Sequence, residues 1–245
     1  MIPSRHGFTL LELLVVVAMV GVLVALGAGT ALAARRSAQS AACQSNLRQL
    51  AQATLAYADA HHGEFPWGSK SVHGYRDWCW DFVTPKDGPT EPGPIWDGCG
   101  DRRVLTCPAY VGKPDNWNGN PYTGYNYNCS YVGKVEGDPA KRQTPAKMAS
   151  LRHPDRTALF GDGEFSGGAN KFMRAPKTDR QNDFSGKGLR EAGTQGFRHN
   201  GHTNVSFADG HVESLRQSYR FGGDPGFVDG HCGFLSPDNS LYGGD

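Results

Sequence analysis

The chain begins with an almost unbroken run of apolar residues. Residues 7–34, GFTLLELLVVVAMVGVLVALGAGTALAA, contain one ionisable side chain, that of Glu12. A helix of about 20 apolar residues crosses a bilayer, and a carboxylate inside such a span costs on the order of 2.5–3.5 kcal/mol. The run therefore predicts a transmembrane helix over 8–34 in which the carboxylate of Glu12 needs a positively charged partner.

The helical pattern continues after this run and becomes amphipathic. Over 35–62, apolar and small residues recur at spacings of three and four, with Gln, Ser, Asn and Arg between them; the recurring residues are Cys43, Leu47, Leu50, Ala51, Thr54, Leu55 and Ala58. His62-Gly63 and Pro66 should end the helix. We expect one helix of about 80 Å over 8–62, with a buried stripe that includes Cys43.

The rest of the chain, 63–245, predicts a loop-rich antiparallel β head. Alternating aromatic and polar residues in GYNYNCSYVG (124–133) are typical of a half-buried strand. VLTCPAY (104–110) and residues 157–160 also predict short strands, and 146–151 predict a short helix or turn. The residues from 216 onward predict loops.

The segment TNVSFADGHVESL (203–215) predicts a β-hairpin. Val205 and Phe207 alternate with polar residues on one arm, and Val212 and Leu215 are apolar on the other. Asp209-Gly210 between them predicts a two-residue turn in which both residues have positive φ.

Composition excludes some classes of function. The chain has 245 residues and a net charge of +1, which gives no electrostatic case for binding nucleic acid. The sequence contains no G-x-S-x-G, H-E-x-x-H, P-loop or dinucleotide-binding motif. Asp162 and Glu164 could suggest glycosidase carboxylates, but their Gly-rich surroundings favour an exposed turn. We therefore expect no enzymatic activity.

The string GFTLLELLVV resembles the class III signal of type IV pilins and type II secretion pseudopilins. The resemblance implies that a leader, residues 1–7, is removed after Gly7 and that the new N-terminal Phe8 is methylated. Its amino group would then neutralise Glu12. A secretory signal cleaved within 25–34 and an ordinary membrane anchor are two alternatives, and both leave Glu12 unexplained. A buried helix of a soluble protein is the third, which the length and all-round apolarity of the run disfavour.

A second resemblance covers the C-terminal part and the centre of the chain. In FRHNGHTNVSFADGHVESL (197–215), His199 is followed by nine residues and then by Asp209-Gly210. This segment is similar to the C-terminal H-x9-DG signature of a set of prepilin-like bacterial proteins. Pieces of the central region are also similar to that set: CQSNLRQLAQATLAYADAHHGEFP (43–66), LTCP (105–108) and GYNYN (124–128). The two resemblances together imply a pilin-like α+β fold, with the amphipathic helix packed on the head.

The resemblances imply a structural subunit of a type II secretion-like pseudopilus or type IV pilus-like filament. Its partners would be prepilin peptidase, other pilin or pseudopilin subunits and the inner membrane. The chain would cross that membrane once, with an extracytoplasmic head, and then enter a periplasmic or cell-surface filament. The alternative is a tethered or exported protein that binds polysaccharide or another surface ligand through tryptophan-rich loops, with candidates Trp67, Trp78, Trp80, Trp96 and Trp117.

All six cysteines follow the apolar run, and an even number in an extracytoplasmic head is typical of disulfides. Cys43 lies on the helix stripe, and Cys107 lies on a predicted strand that a pilin-like fold would lay across that helix. We therefore predict a Cys43–Cys107 disulfide, with Cys79, Cys99, Cys129 and Cys232 pairing among themselves. A buried Cys43 thiol is the alternative.

Metal binding is a weaker prediction. His199, His202, Asp209 and His211 are of residue types that bind zinc, but a structural role in the loop and turn explains His199 and Asp209-Gly210 more simply. Four acidic residues near the C-terminus could suggest calcium, without EF-hand spacing: Asp224, Asp229, Asp238 and Asp245. We expect no cofactor, with zinc or calcium as the alternatives.

Overall fold

A computed structural model describes residues 8–96, 100–113, 122, 124–136, 144–166, 168–177, 191–220 and 230–243. The chain divides into two units, Met1–Ala38 and Gln39–Asp245. Helix α1 (Leu10–Ala60) begins in the first unit and ends in the second. The single long helix predicted from the hydrophobic pattern is confirmed.

The first part of α1 exposes its large apolar side chains. The large apolar side chains that can be described between Phe8 and Leu32 are all exposed, from 42% for Val15 to 85% for Leu10. This stretch is long and apolar enough to cross a membrane. Because such a surface is costly in water, this part of the helix is suited to lipid or to packing against other helices.

The second part of α1 buries the predicted stripe. Cys43, Leu47 and Leu50 are fully buried and belong to a core that includes Leu105 and Tyr125. The helix ends as predicted. His62 (φ 57°) and Gly63 (φ 80°) are left-handed, and the Gly63 amide donates to the Ala58 carbonyl over 2.7 Å, as in a Schellman motif.

Within its described residues the head contains two sheets and a strand pair, which establishes the α+β class. The first sheet has the order β1-β2-β3 and the second the order β6-β4-β5-β8-β9. All neighbouring strands are antiparallel except β4 and β6, which are parallel. The strands are β1 (Tyr75–Trp78), β2 (Phe82–Pro85), β3 (Glu91–Pro92), β4 (Asn126–Asn128), β5 (Ala158–Gly161), β6 (Phe172–Met173), β7 (Gln195–Gly196), β8 (Thr203–Phe207), β9 (Val212–Leu215) and β10 (Cys232–Gly233), where β7 pairs with β10.

The strand predicted over 104–110 is wrong. A short 3₁₀ helix, Arg102–Leu105, occupies its start, because the side chain of Asp101 caps the turn by accepting a hydrogen bond from the amide of Arg103 over 2.9 Å. Pro108, which has no amide hydrogen, follows closely. Cys107 therefore lies in a loop and not on a strand.

Other local predictions hold with changes. The strand within 124–133 is limited to β4, whose three residues are all buried, so its burial does not alternate. The strand near 157–160 is β5, and a 3₁₀ helix, Met148–Ser150, occupies the predicted short helix. Segment 216–245 is more than loops, because it contains β10 and the buried side chains of Phe234, Leu235 and Tyr242.

The predicted hairpin is β8 and β9, but its turn is longer than two residues. The amide of Phe207 donates to the carbonyl of His211 over 2.9 Å, so three residues, 208–210, lie between this bonded pair. Of Asp209 and Gly210, only Gly210 has positive φ, at 93°. The carboxylate of Asp209 instead accepts from the amide of His211 over 3.1 Å, and this local bond favours the longer turn.

Candidate functional site

Four side chains with metal-binding atoms meet in the buried interior of the head. Cys43 comes from α1, Cys107 from the loop after Arg102–Leu105, Asp162 from the end of β5, and His199 from the approach to β8. Each of these residues is at least 95% buried. Their sulfur, oxygen and nitrogen atoms all lie within 4.8 Å of one another. We call these four residues the thiol–carboxylate cluster.

Helix α1 positions Cys107 by holding the loop on either side of it. The side-chain amide of Gln39 donates to the carbonyl of Pro108 over 3.0 Å, and that of Asn46 donates to the carbonyl of Thr106 over 3.3 Å. Residues 39, 43 and 46 lie on one face of the helix because they are three or four positions apart. The same face that carries Cys43 therefore fixes the loop that carries Cys107.

Asp162 is the centre of the cluster. Its Oδ1 accepts from the thiol of Cys43 (3.0 Å) and from Arg198 Nη2 (3.2 Å). Its Oδ2 accepts from the amide of Asn204 (2.7 Å) and lies 3.3 Å from Nε2 of His199. A buried carboxylate needs such partners to remain charged.

The prediction of an exposed turn at Asp162 is wrong. The two flanking glycines mark tight packing instead. A Cβ at Gly161 would lie 2.3 Å from the side chain of Gln195, and one at Gly163 would lie 2.6 Å from the carbonyl of Asn170. A side chain at position 163 would meet backbone, and one at position 161 would displace the end of the Gln195 side chain, so the Gly-Asp-Gly sequence reflects close approach in the core.

A tight turn that sequence reasoning missed positions His199. Asn200 and Gly201 both have positive φ, 55° and 79°. The amide of His199 donates to the carbonyl of His202 over 3.0 Å, and the reverse bond measures 3.1 Å. This two-residue turn matches the type I′ geometry. The Asn200-Gly201 dipeptide was the signal that could have revealed it.

The predicted set of His199, His202, Asp209 and His211 does not come together. The ring of His202 lies 3.2 Å from the carbonyl of Asn200. The exposed ring of His211 pairs with Asp209 over 2.6 Å and stacks on the ring of Phe207. Only His199 joins the buried cluster, with partners that the H-x9-DG spacing does not predict.

Arg198 is a further member of the site that the sequence did not reveal. Its guanidinium bonds to Asp162 and, over 3.0 Å, to Glu164. It also donates to Cys107 Sγ over 3.4 Å and to the carbonyl of Gly124. With 9% of its side chain exposed, Arg198 supplies a fixed positive charge at the edge of the cluster.

These contacts shift the pKa values of the cluster in opposite directions. The hydrogen bond from Cys43, together with Arg198 and His199, lowers the pKa of Cys107 to about 5. Burial and the neighbouring Cys107 raise the pKa of Cys43 well above its usual value. Burial opposes the charged form of His199, but hydrogen bonds to Asp162 and Cys107 raise its pKa to about 9. One thiolate beside one imidazolium is therefore favoured in the cluster.

The one specific cysteine pair predicted, Cys43 and Cys107, is brought close together without a bond. Cys43 and Cys107 are both free thiols, and their proximity is what the proposed pairing requires. Cys79 and Cys129 both contact the backbone at Gly68-Ser69, whereas Cys99 lies outside the described residues. The disulfide connectivity stays a prediction.

The acidic C-terminal positions do not form a described site. Asp238 Oδ1 accepts from the amide of Ser240 over 3.0 Å and from its hydroxyl over 2.5 Å, which is a local turn. Asp224, Asp229 and Asp245 lie outside the described part of the chain, as does Trp117. The calcium prediction stays untested.

The predicted assembly residue, Glu12, forms a reciprocal cap with Thr9. Glu12 Oε2 accepts from the amide and the hydroxyl of Thr9 over 2.9 and 2.8 Å, and Thr9 Oγ1 accepts from the amide of Glu12 over 3.3 Å. This arrangement is a capping box at the start of α1. The box gives the carboxylate local partners. Phe8 is 77% exposed, and Gly7 lies outside the described residues.

Comparison with known proteins identifies the N-terminal segment. Residues 2–28 match the family model for the prokaryotic N-terminal methylation motif. The motif indicates a type IV pilin-like or pseudopilin-type protein. It implies processing by prepilin peptidase and assembly with other pilins, and it supports the first resemblance. No curated protein and no solved structure matches the chain, and the H-x9-DG resemblance stays a prediction.

Proposed function

We propose that this chain is a structural subunit of a type II secretion-like pseudopilus or type IV pilus-like filament. The observation that supports this proposal is the methylation motif on a helix whose apolar surface is exposed between Phe8 and Leu32. Helices that pack side by side in a filament would cover that surface. The thiol–carboxylate cluster is buried, so these four residues offer no open site for a substrate.

Glu12 supports the proposal through its position relative to the cleavage site. Cleavage after Gly7 makes Thr9 the second residue of the mature chain, so the capping box of Thr9 and Glu12 remains intact. It also creates an amino group on Phe8, four residues before Glu12. In a filament core of low dielectric constant, attraction between this group and the Glu12 carboxylate is several times stronger than in water.

We expect the mature protein to begin at Phe8 and to carry one methyl group on its amino group. Gly7 places no side chain at the bond to be cut, and the methylation motif implies a peptidase that acts there. Intact-mass analysis of the protein from its native membrane measures both features. Gly7→Val is the control and should retain residues 1–7. A mature chain that begins near Ala34 would instead establish an ordinary secretory signal.

A second function, glycan binding, is favoured by an aromatic cleft in the head. Trp67, Trp78, Trp96 and Tyr57 line a cleft of about 300 Å³. The ammonium of Lys70 lies 5.3 Å from the ring centre of Trp78. Partly exposed aromatic faces can stack against sugar rings and exclude water. Trp80 does not contribute, because it is 1% exposed.

If the cleft binds a glycan, Trp78→Ala and Trp96→Ala should each weaken binding roughly tenfold, a typical loss when an aromatic anchor is removed. Trp78→Phe, which keeps an aromatic face, should retain most of the affinity. Glycan arrays with the full-length protein in detergent, followed by calorimetry, measure the effect. Absence of any glycan ligand, or unchanged affinity in both alanine variants, would eliminate this second function.

A further inference from the structure

We propose that the thiol–carboxylate cluster binds one zinc ion, with Cys43, Cys107, Asp162 and His199 as its four ligands. The inference concerns the head and is independent of filament assembly. Cysteine, histidine and carboxylate are the side chains that bind zinc in proteins, and structural zinc sites have four of them in a tetrahedron. The cluster supplies four such groups, all buried, from four separate parts of the chain.

The spacing of the donor atoms fits a zinc tetrahedron. Zinc bonds of about 2.3 Å to sulfur and 2.0–2.1 Å to nitrogen or oxygen place neighbouring ligand atoms about 3.3–3.8 Å apart. Cys43 Sγ lies 3.0 Å from Asp162 Oδ1, and Cys107 Sγ lies 3.8 Å from His199 Nε2. The His199 nitrogen lies 3.3 Å from Asp162 Oδ2. All four groups offer donor atoms within 4.8 Å of one another, so shifts of up to about 1 Å would bring the four to bonding distance.

The charges around the cluster also balance with a divalent metal. Two thiolates and one carboxylate carry three negative charges, so a zinc ion leaves a net charge of −1. The guanidinium of Arg198 contacts both Cys107 and Asp162 and supplies a compensating positive charge, which it shares with the carboxylate of Glu164. In the bound state both sulfurs are thiolates and the His199 ring is neutral, so any proton that these three groups carry is released to solvent. A buried site with this balance avoids the cost of an uncompensated charge.

Groups around the four ligands hold them in place. The Nε of Arg198 donates to Cys107 Sγ over 3.4 Å, and the amide of Asn204 donates to Asp162 over 2.7 Å. Gln39 and Asn46 fix the loop on both sides of Cys107. Such outer contacts orient ligands and strengthen metal binding about 10- to 100-fold.

The ion would join α1 to three distant segments of the head. Cys43 is the helix ligand, and the other three ligands lie 64 or more positions later in the chain. Because an ordered ligand set of this kind exists only in the folded chain, the binding free energy of the metal contributes directly to folding. The proposed site would therefore fasten the head to the helix that the motif assigns to assembly.

A Cys43–Cys107 disulfide and a zinc ion are mutually exclusive, so one experiment decides between them. Full-length protein is purified in detergent without chelator, and its zinc content and free thiols are measured. Cobalt(II) chloride is then added to metal-depleted protein, because thiolate ligands give intense sulfur-to-cobalt absorption. The variants are Cys107→Ser and His199→Gln. Cys79→Ser, another buried cysteine outside the cluster, is the matched control.

We expect one zinc per chain in the wild type and in Cys79→Ser, and at least tenfold weaker zinc binding in both cluster variants. The cobalt absorption should weaken in Cys107→Ser and keep its sulfur bands in His199→Gln. Alkylation of Cys43 and Cys107 in the wild type should require a chelator, a readout that does not depend on the folding of any variant. Recovery of a Cys43–Cys107 disulfide would overturn the proposal. So would recovery of both cysteines as thiols, with no bound metal, after zinc chloride has been added.

Discussion

Replacing Glu12 with Gln should prevent the chain from entering filaments while leaving helix α1 and membrane insertion intact. Gln at the third helical position can still reach back to the Thr9 amide, as in other capping boxes. The substitution therefore removes the negative charge and keeps the cap. If the charge pairs with the amino group of Phe8 in the assembled core, its loss leaves an unpaired ammonium in a medium where such a charge is costly. We expect at least a tenfold fall in the amount of chain recovered in sheared or purified filaments.

Thr9→Ala is the matched control for the same cap. It removes the hydroxyl that bonds Glu12 at a cost of about 1 kcal/mol to the helix end, but it leaves the carboxylate charged. Assembly should survive in Thr9→Ala and fail in Glu12→Gln and Glu12→Ala, with all three inserted equally in the membrane fraction. If Glu12→Gln assembles into filaments and Thr9→Ala does not, the role of Glu12 is helix capping alone.

Periodic features of the sequence predicted the helix well. The apolar run and the stripe through Cys43, Leu47 and Leu50 recur at helical spacing, and such regular patterns report burial directly. The end of the helix at His62-Gly63 was predicted equally well, because a glycine with positive φ ends a helix through its own backbone conformation. The strand over 104–110 failed because one local contact, the cap of Asp101 on Arg103, outweighed strand propensity.

The sequence predicted only part of the candidate site. The stripe argument placed Cys43 in the core, and Cys107 does lie beside it, although on a loop and not on a strand. The burial of Asp162 was mispredicted and Arg198 was missed, because these two residues lie 36 positions apart in sequence and come together only in the fold in which β5 pairs with β8. Glycines beside Asp162 looked like turn signals, yet they mark close packing. Tertiary contacts of this kind leave no periodic trace in a sequence.

Asp162→Asn should produce the largest loss of stability in the head. The substitution keeps the shape of the side chain but replaces a carboxylate that accepts from Arg198, Cys43 and the amide of Asn204. One of its oxygens becomes an amide that donates, and the guanidinium loses a fully buried partner. Breaking one side of a buried ion pair costs about 3–5 kcal/mol, a large part of the free energy of unfolding of an ordinary domain.

Asp209→Asn is the matched control, because it makes the same chemical change at an exposed pair. The side chains of Asp209 and His211 are 37% and 36% exposed, and surface pairs contribute about 0–1 kcal/mol. The two variants are compared by urea unfolding of the full-length protein in detergent, monitored by tryptophan fluorescence. Excess chelator is present, so that metal makes no contribution. A difference of less than 1 kcal/mol between Asp162→Asn and the wild type would show that Arg198 is satisfied by Glu164 and the carbonyl of Gly124 alone. The ion pair with Asp162 would then stabilise the fold no more than a surface pair does.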